Sequence, residues 1–170
     1  MQSEAPHYTF RELRRDDLKV IAKWLAEPHV AQWWGDPAKG LQEIEAALGD
    51  IATEPVMVEM DGRPIAYLQN YDPHLEDDHP YQDQPTGTLG LDISIGVPEL
   101  VGKGHGSGII RQFAAELFAE GVPRLIVDPH PDNVRAIRAY SRAGFEAFDT
   151  RTTTEYGPAV IMALDAPEEV

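Results

Sequence analysis

Apolar and polar positions alternate along Tyr8–Leu13, so the chain opens on a strand. The period then lengthens: Leu18, Ile21, Ala22, Trp24 and Leu25 fall on one helical face, with Asp16 or Asp17 placed to cap it and Pro28 to end or bend it. His29–Asp36 reads as an aromatic-bearing loop, and Leu41–Leu48 as a second helix broken at Gly49-Asp50. Val56–Met60 and Ile65–Tyr71 flank Asp61-Gly62, a hairpin signature. Residues 72–87, rich in Pro, Asp, His and Gly, read as an exposed loop. Thr88–Ile95 is β-branched and apolar enough for a central strand. Gly102–Gly108 is a glycine-rich turn leading into an amphipathic helix, Ile109–Glu120. Leu125–Val127 is a short strand, Asn133–Ala143 a helix with Gly144 at its C-cap, and Phe145–Thr152 and Ala159–Leu164 two final strands. The order β-α-α-β-β-β-α-β-α-β-β predicts an α/β fold on one mixed sheet.

Composition narrows the class. A chain of 170 residues without repeats or long linkers fits one domain, 1–170, with its core at about 8–164. No stretch approaches a membrane span and MQSEAPHYTF has no signal-peptide pattern, so no membrane partner and a cytoplasmic location are expected. With no cysteine there is no disulfide, thiolate nucleophile or Cys-ligated zinc. His74 and His79 lie near Asp77 and Asp78 but lack a metal-ligand spacing, so no metal is expected. A net charge of −15 repels phosphate backbones and argues against nucleic acid. Its distribution is more specific. No Lys or Arg falls between Arg63 and Lys103, whereas Asp72, Glu76, Asp77, Asp78, Asp83, Asp92 and Glu99 all do, a one-signed segment suited to attracting cations.

A strand, a glycine-rich turn and a helix make a phosphate-binding geometry. Backbone N–H groups of Gly102, Lys103, Gly104, His105, Gly106 and Ser107 can converge at the positive end of the following helix. The spacing is neither a Walker motif nor G-x-G-x-x-G, and a flexible turn would also use these glycines. Downstream, Asn133, Ala136, Tyr140 and Gly144-Phe145 form N-x-x-A-x-x-x-Y-x-x-x-G-F after a short strand. Together the two elements resemble the acyl-CoA site of GNAT acetyltransferases, with Val101 where the family usually has Arg or Gln. WWGDP, DGRPIAYLQNY, GLD, VGKGHGSGI, DPHPDNVRAIRAYSRAGF and TTEYGPAVIM extend the likeness, from about Tyr8 to Met162, to aminoglycoside 6′-N-acetyltransferases of the resistance type. The 72–87 loop does not match in detail.

The resemblance implies a GNAT fold, a central mixed, mostly antiparallel sheet flanked by helices. It also implies acetyl-CoA as co-substrate and a cationic small-molecule amine as acceptor, attacking the thioester directly in a ternary complex. The protein is then expected as a monomer or weak homodimer. Asp92, ten residues before Gly102 on the central strand, is the candidate for amine contact or proton removal, although a strand-end Asp also makes local hydrogen bonds. Tyr140 is the candidate general acid for the departing thiolate, and the backbone near Ile93 the candidate site for the acetyl carbonyl. Asp128 matches a family carboxylate that contacts substrate amines, and as an Asx-turn or cap it would look the same.

Gln69 and Tyr71 share a strand face with Tyr67 and are placed by the resemblance at the acceptor side. Trp33 and Trp34 are adjacent, so one is expected to pack inward; Trp34 is favoured for a sugar ring or cation. Near the C-terminus Tyr156, beside Glu155, stands where the family has an Asp. Rival readings are an acyltransferase for another small amine, of the siderophore hydroxylysine or polyamine type, and a non-catalytic binder of cationic ligands.

Overall fold

The computed structural model describes residues 6–152 and 157–168. Among these, seven strands form one sheet in the order β1-β2-β3-β4-β5-β7-β6: β1 Tyr8–Glu12, β2 Thr53–Met60, β3 Arg63–Tyr71, β4 Leu89–Ile95, β5 Arg124–Val127, β6 Glu146–Arg151 and β7 Ala159–Asp165. Every pairing is antiparallel except β4 with β5. The helices are α1 Leu18–Leu25, α2 Pro28–Trp34, α3 Pro37–Ala47, α4 His105–Ala119 and α5 Val134–Arg142. The mixed, mostly antiparallel sheet expected from the sequence is therefore present.

The helices divide between the two faces of the sheet, and strand alternation shows how. Tyr67 pairs with Ser94 on one face, where Trp34 meets the Tyr67 ring edge-on at 5.9 Å. Ala66 pairs with Ile95 on the other. There a Cβ built on Gly106 of α4 would come within 3.9 Å of Ile95 and 3.6 Å of Ala139 of α5. The α1–α3 layer thus covers one side and the α4–α5 pair the other. Between them the core is centred on β2, β3 and β4, with Met57, Val58, Ile65, Leu68 and Leu91 at most 1% exposed.

Local structure departs from the sequence reading in four places. His29–Asp36 is not a loop: α1 ends before Pro28, as expected, but Pro28 then starts α2 at its first turn, where the missing N–H costs nothing. Pro37 does the same for α3, whose N-cap Asp36 accepts from Lys39 N at 3.2 Å, so that helix begins before Leu41. α4 starts at His105, taking Gly106, Ser107 and Gly108 into its first turn. The two glycines there let α5 and the Tyr8 ring approach, the latter within 3.2 Å of a Cβ built on Gly108. Finally, 72–87 is an ordered segment with 3-10 turns at Pro73–Leu75 and Pro80–Asp83, and it buries Pro73 and Tyr81.

Candidate active site

The one parallel pairing in the sheet is short. β4 and β5 are joined at Leu89↔Leu125 and Gly90↔Ile126, and the ladder stops there although β4 runs on to Ile95. Beyond Gly90 the two strands part. A cleft of about 430 Å³ opens at the parting, lined by Ile93, Ser94 and Ile95 of β4, by Gly102, Gly104, Gly106 and Ser107, by Asn133, Ala136 and Tyr140, and by Trp33 and Trp34.

The glycine turn forms one wall. Gly102 and Gly104 have φ of +78° and +87°, a backbone region that side-chain-bearing residues rarely adopt, and a Cβ on either would meet nothing within 4 Å. Backbone conformation, not packing, therefore requires these two glycines. They deliver the chain to the N-terminus of α4, where unpaired N–H groups and the helix dipole favour an anion. Asn133 caps α5, its Oδ1 accepting from Ala136 N at 3.2 Å. A concave, glycine-walled cleft running between two helix N-termini fits a pyrophosphate with an extended arm. Lys103 and His105 do not line it: Lys103 is exposed, and His105 Nδ1 hydrogen-bonds Tyr8 Oη at 2.7 Å on the β1 side.

Tyr140 projects from α5 to the cleft and is 7% exposed. Burial, reinforced by the charges of Asp92 and Asp128, pushes its phenol well above the ordinary tyrosine value. Its proton is therefore held tightly.

The carboxylates approach from the opposite face. Parallel register sets Gly90 beside Ile126, so Asp92 and Asp128, two residues further along each strand, project to that same side. Burial raises the Asp92 carboxyl above the usual range; a hydrogen bond from Gln69 opposes this and the charge of Glu76 adds to it. Asp128 is pushed up to about 7 by burial and by neighbouring Asp92, against the pull of a hydrogen bond from Tyr81. Two half-buried acids on the same face of the sheet concentrate negative charge there.

The acceptor-side expectations are partly redrawn. Gln69 is engaged in support: Tyr67 Oη donates to its Oε1 at 2.6 Å, and its Nε2 donates to Asp92 Oδ2 at 2.8 Å. Tyr71 lies over Gly90, where a Cβ would sit 2.0 Å from its Cζ, and against His79, with ring centroids 5.5 Å apart. Of the two tryptophans, Trp34 is the inward one, packed on Tyr67. Trp33 is 38% exposed and leans on His130 across the cleft at 5.7 Å. Tyr156 and Glu155 lie outside the described residues.

Sequence reasoning missed Tyr81, whose Oη donates to Asp128 Oδ2 at 2.8 Å, and His29, whose Nε2 donates to Ile95 O at 2.8 Å where β4 has left its neighbour. Both sit in segments read as loops. A proline opening each of their helical turns was the available signal.

Comparison with known proteins agrees with this geometry. Residues 14–153 match a family model described as an acetyltransferase (GNAT) domain. The chain is 32% identical over 163 residues to aminoglycoside N(6′)-acetyltransferase type 1 of Klebsiella pneumoniae, covering 91% of this chain and 81% of that protein. It is 29% identical over 167 residues to a lysine N-acyltransferase, MbtK, of Mycolicibacterium paratuberculosis, covering 95% and 75%. Among solved structures, AAC(6′)-Ib in complex with paromomycin and acetyl-CoA is similar at a TM-score of 0.84 and 32% identity, covering 93% of each chain.

Proposed function

Because the chain belongs to the GNAT acetyltransferase family, we propose that it transfers acetyl from acetyl-CoA to the 6′-amine of an aminoglycoside, by direct attack in a ternary complex. The observation that carries this is the parting of β4 from β5. The glycine turn and Tyr140 reach the cleft there from the α4–α5 side, and Asp92 and Asp128 lie on the other face of the sheet. Two reactants brought from opposite faces meet in that gap, held in line without a protein nucleophile.

Acetyl-CoA supplies the acetyl group as a thioester. Gly102, Gly104, Gly106 and Ser107 hold its pyrophosphate with backbone donors, and Asn133 and Ala136 border its arm. The backbone near Ile93 receives the acetyl carbonyl oxygen and stabilises the charge that develops there. Asp128 binds an ammonium group of the acceptor. Asp92 takes a proton from the attacking amine, directly or through water; its raised pKa makes it a better base than a solvated aspartate. Tyr140 gives its proton to the departing sulfur, and burial keeps that proton in place until negative charge appears. Trp34, Gln69 and Tyr71 shape the acceptor side. A cytoplasmic location suits such a reaction.

The relative of the lysine N-acyltransferase type marks the alternative, a longer acyl donor with a different amine. Purified protein assayed for thiol release from acetyl-CoA, across kanamycin-type aminoglycosides, polyamines, hydroxylysine and peptides, separates the two. The proposal requires turnover with an aminoglycoside. Turnover with another amine and none with any aminoglycoside refutes it.

A further inference from the structure

The segment between β3 and β4 is built to hold one side chain in place. His74 Nε2 donates to Gln84 O at 3.0 Å, tying its two ends together. Arg124 of β5 donates to Gln84 Oε1 at 3.1 Å, and Arg151 of β6 to Asp83 Oδ2 at 2.9 Å, fastening it over the sheet. Tyr81 of this segment points inward and is 3% exposed, although its neighbours Gln82 and Asp83 are exposed. The Arg151 guanidinium covers one region of its ring at 4.9 Å and the His79 ring lies 5.1 Å away. Its hydroxyl ends on Asp128 Oδ2 at 2.8 Å.

We propose that Tyr81 is a positioning residue for the acceptor, orienting the Asp128 carboxylate to receive an ammonium group and so making the 72–87 segment a determinant of which polycationic amines bind. This rests on the acceptor reading given above. An aspartate's terminal torsion is broad, and without a partner the carboxylate would rotate. A phenol fixes it with a neutral donor. A lysine or arginine in that place would neutralise the charge on which a cationic substrate depends, whereas the phenol leaves that charge and the remaining acceptor sites of the carboxylate in place. Arg151, beside Tyr81, is engaged by Asp83 and Asp149 and meets the Tyr81 ring.

The test is Tyr81→Phe, which keeps the ring and its Arg151 contact, assayed with kanamycin and acetyl-CoA. The KM for kanamycin rises about tenfold, the loss of one hydrogen bond to a charged group, while the KM for acetyl-CoA is unchanged. The acidic limb of kcat/KM for kanamycin also moves to higher pH, because the lost bond favoured the ionised carboxylate. The titratable groups that interact with Asp128 are Asp92 from β4, Tyr71 from β3, Tyr140 from α5 and Tyr81 itself, and burial holds the three phenols well above the pH range in which Asp128 titrates. In an Asp128→Asn background, Tyr81→Phe has no further effect on the kanamycin KM. An unchanged KM and pH limb, or an equal effect in both backgrounds, overturns the proposal alone. Absence of kanamycin turnover by the wild-type protein removes the acceptor reading and this inference with it.

Discussion

Gln69 Nε2 donates to Asp92 Oδ2 across the β3–β4 pair at 2.8 Å, with the two residues directly opposite in the ladder. Tyr67, two residues back on the same face, donates to the other end of the Gln69 amide and so fixes which way that amide points. A 2%-exposed tyrosine therefore determines, through one glutamine, how the candidate base presents its free edge. Gln69→Leu keeps the packing volume but removes the bond. Its kcat is expected to fall about tenfold, with the acetyl-CoA KM unchanged; steady-state kinetics with both substrates varied checks this. An unaltered kcat would show that Asp92 needs no such support.

The acid role proposed for Tyr140 fits its surroundings, since burial and the charges of Asp92 and Asp128 hold its phenol above the ordinary tyrosine value. Tyr140→Phe retains the ring contact with Phe145, 5.8 Å between centroids, and deletes the proton. The expected result is a loss of about 100-fold in kcat with acetyl-CoA affinity preserved, read by comparing turnover with calorimetric binding. A large loss of affinity with kcat intact would reassign the residue to binding.

The raised carboxyl of Asp128 has a consequence for stability. Its folded pKa of about 7 lies above the unfolded value of about 3.9. The folded form thus holds the proton more tightly, and stability falls as pH rises from about 4 through about 7. Asp128→Asn removes this term. Its thermal midpoint should match the wild type at pH 4 and exceed it at pH 8 by at least about 3 °C, the effect of about 1 kcal/mol in a domain of this size. A variant less stable than wild type at pH 8 contradicts the electrostatic account.

Much of this was legible from the residues, and the remainder was hidden for physical reasons. The β2–β3 hairpin followed from the Asp61-Gly62 turn, and β4 from its β-branched, apolar content. The cleft followed from Gly102, Gly104, Asn133 and Tyr140, because cofactor-side contacts are local in sequence. His29–Asp36 and 72–87 were read as loops although Pro28, Pro37 and Pro80 each open a helical turn, because a proline forbidden in a helix interior is favoured at its first turn. The partners of Gln69 and Trp34, Asp92 and Tyr67, were hidden because they come from cross-strand register and helix packing that a linear pattern does not contain. Tyr81 was invisible for the same reason: its partner Asp128 lies 47 residues away on another strand.

The central claim is that Asp92 and Asp128 present one particular nitrogen of the acceptor to the gap between β4 and β5. Its most direct test is the regiochemistry of the product. Kanamycin incubated with the protein and acetyl-CoA, purified and examined by two-dimensional NMR, should carry a single acetyl group on the 6′-nitrogen. Acetylation at any other amine, or no acetylated kanamycin at all, contradicts the account.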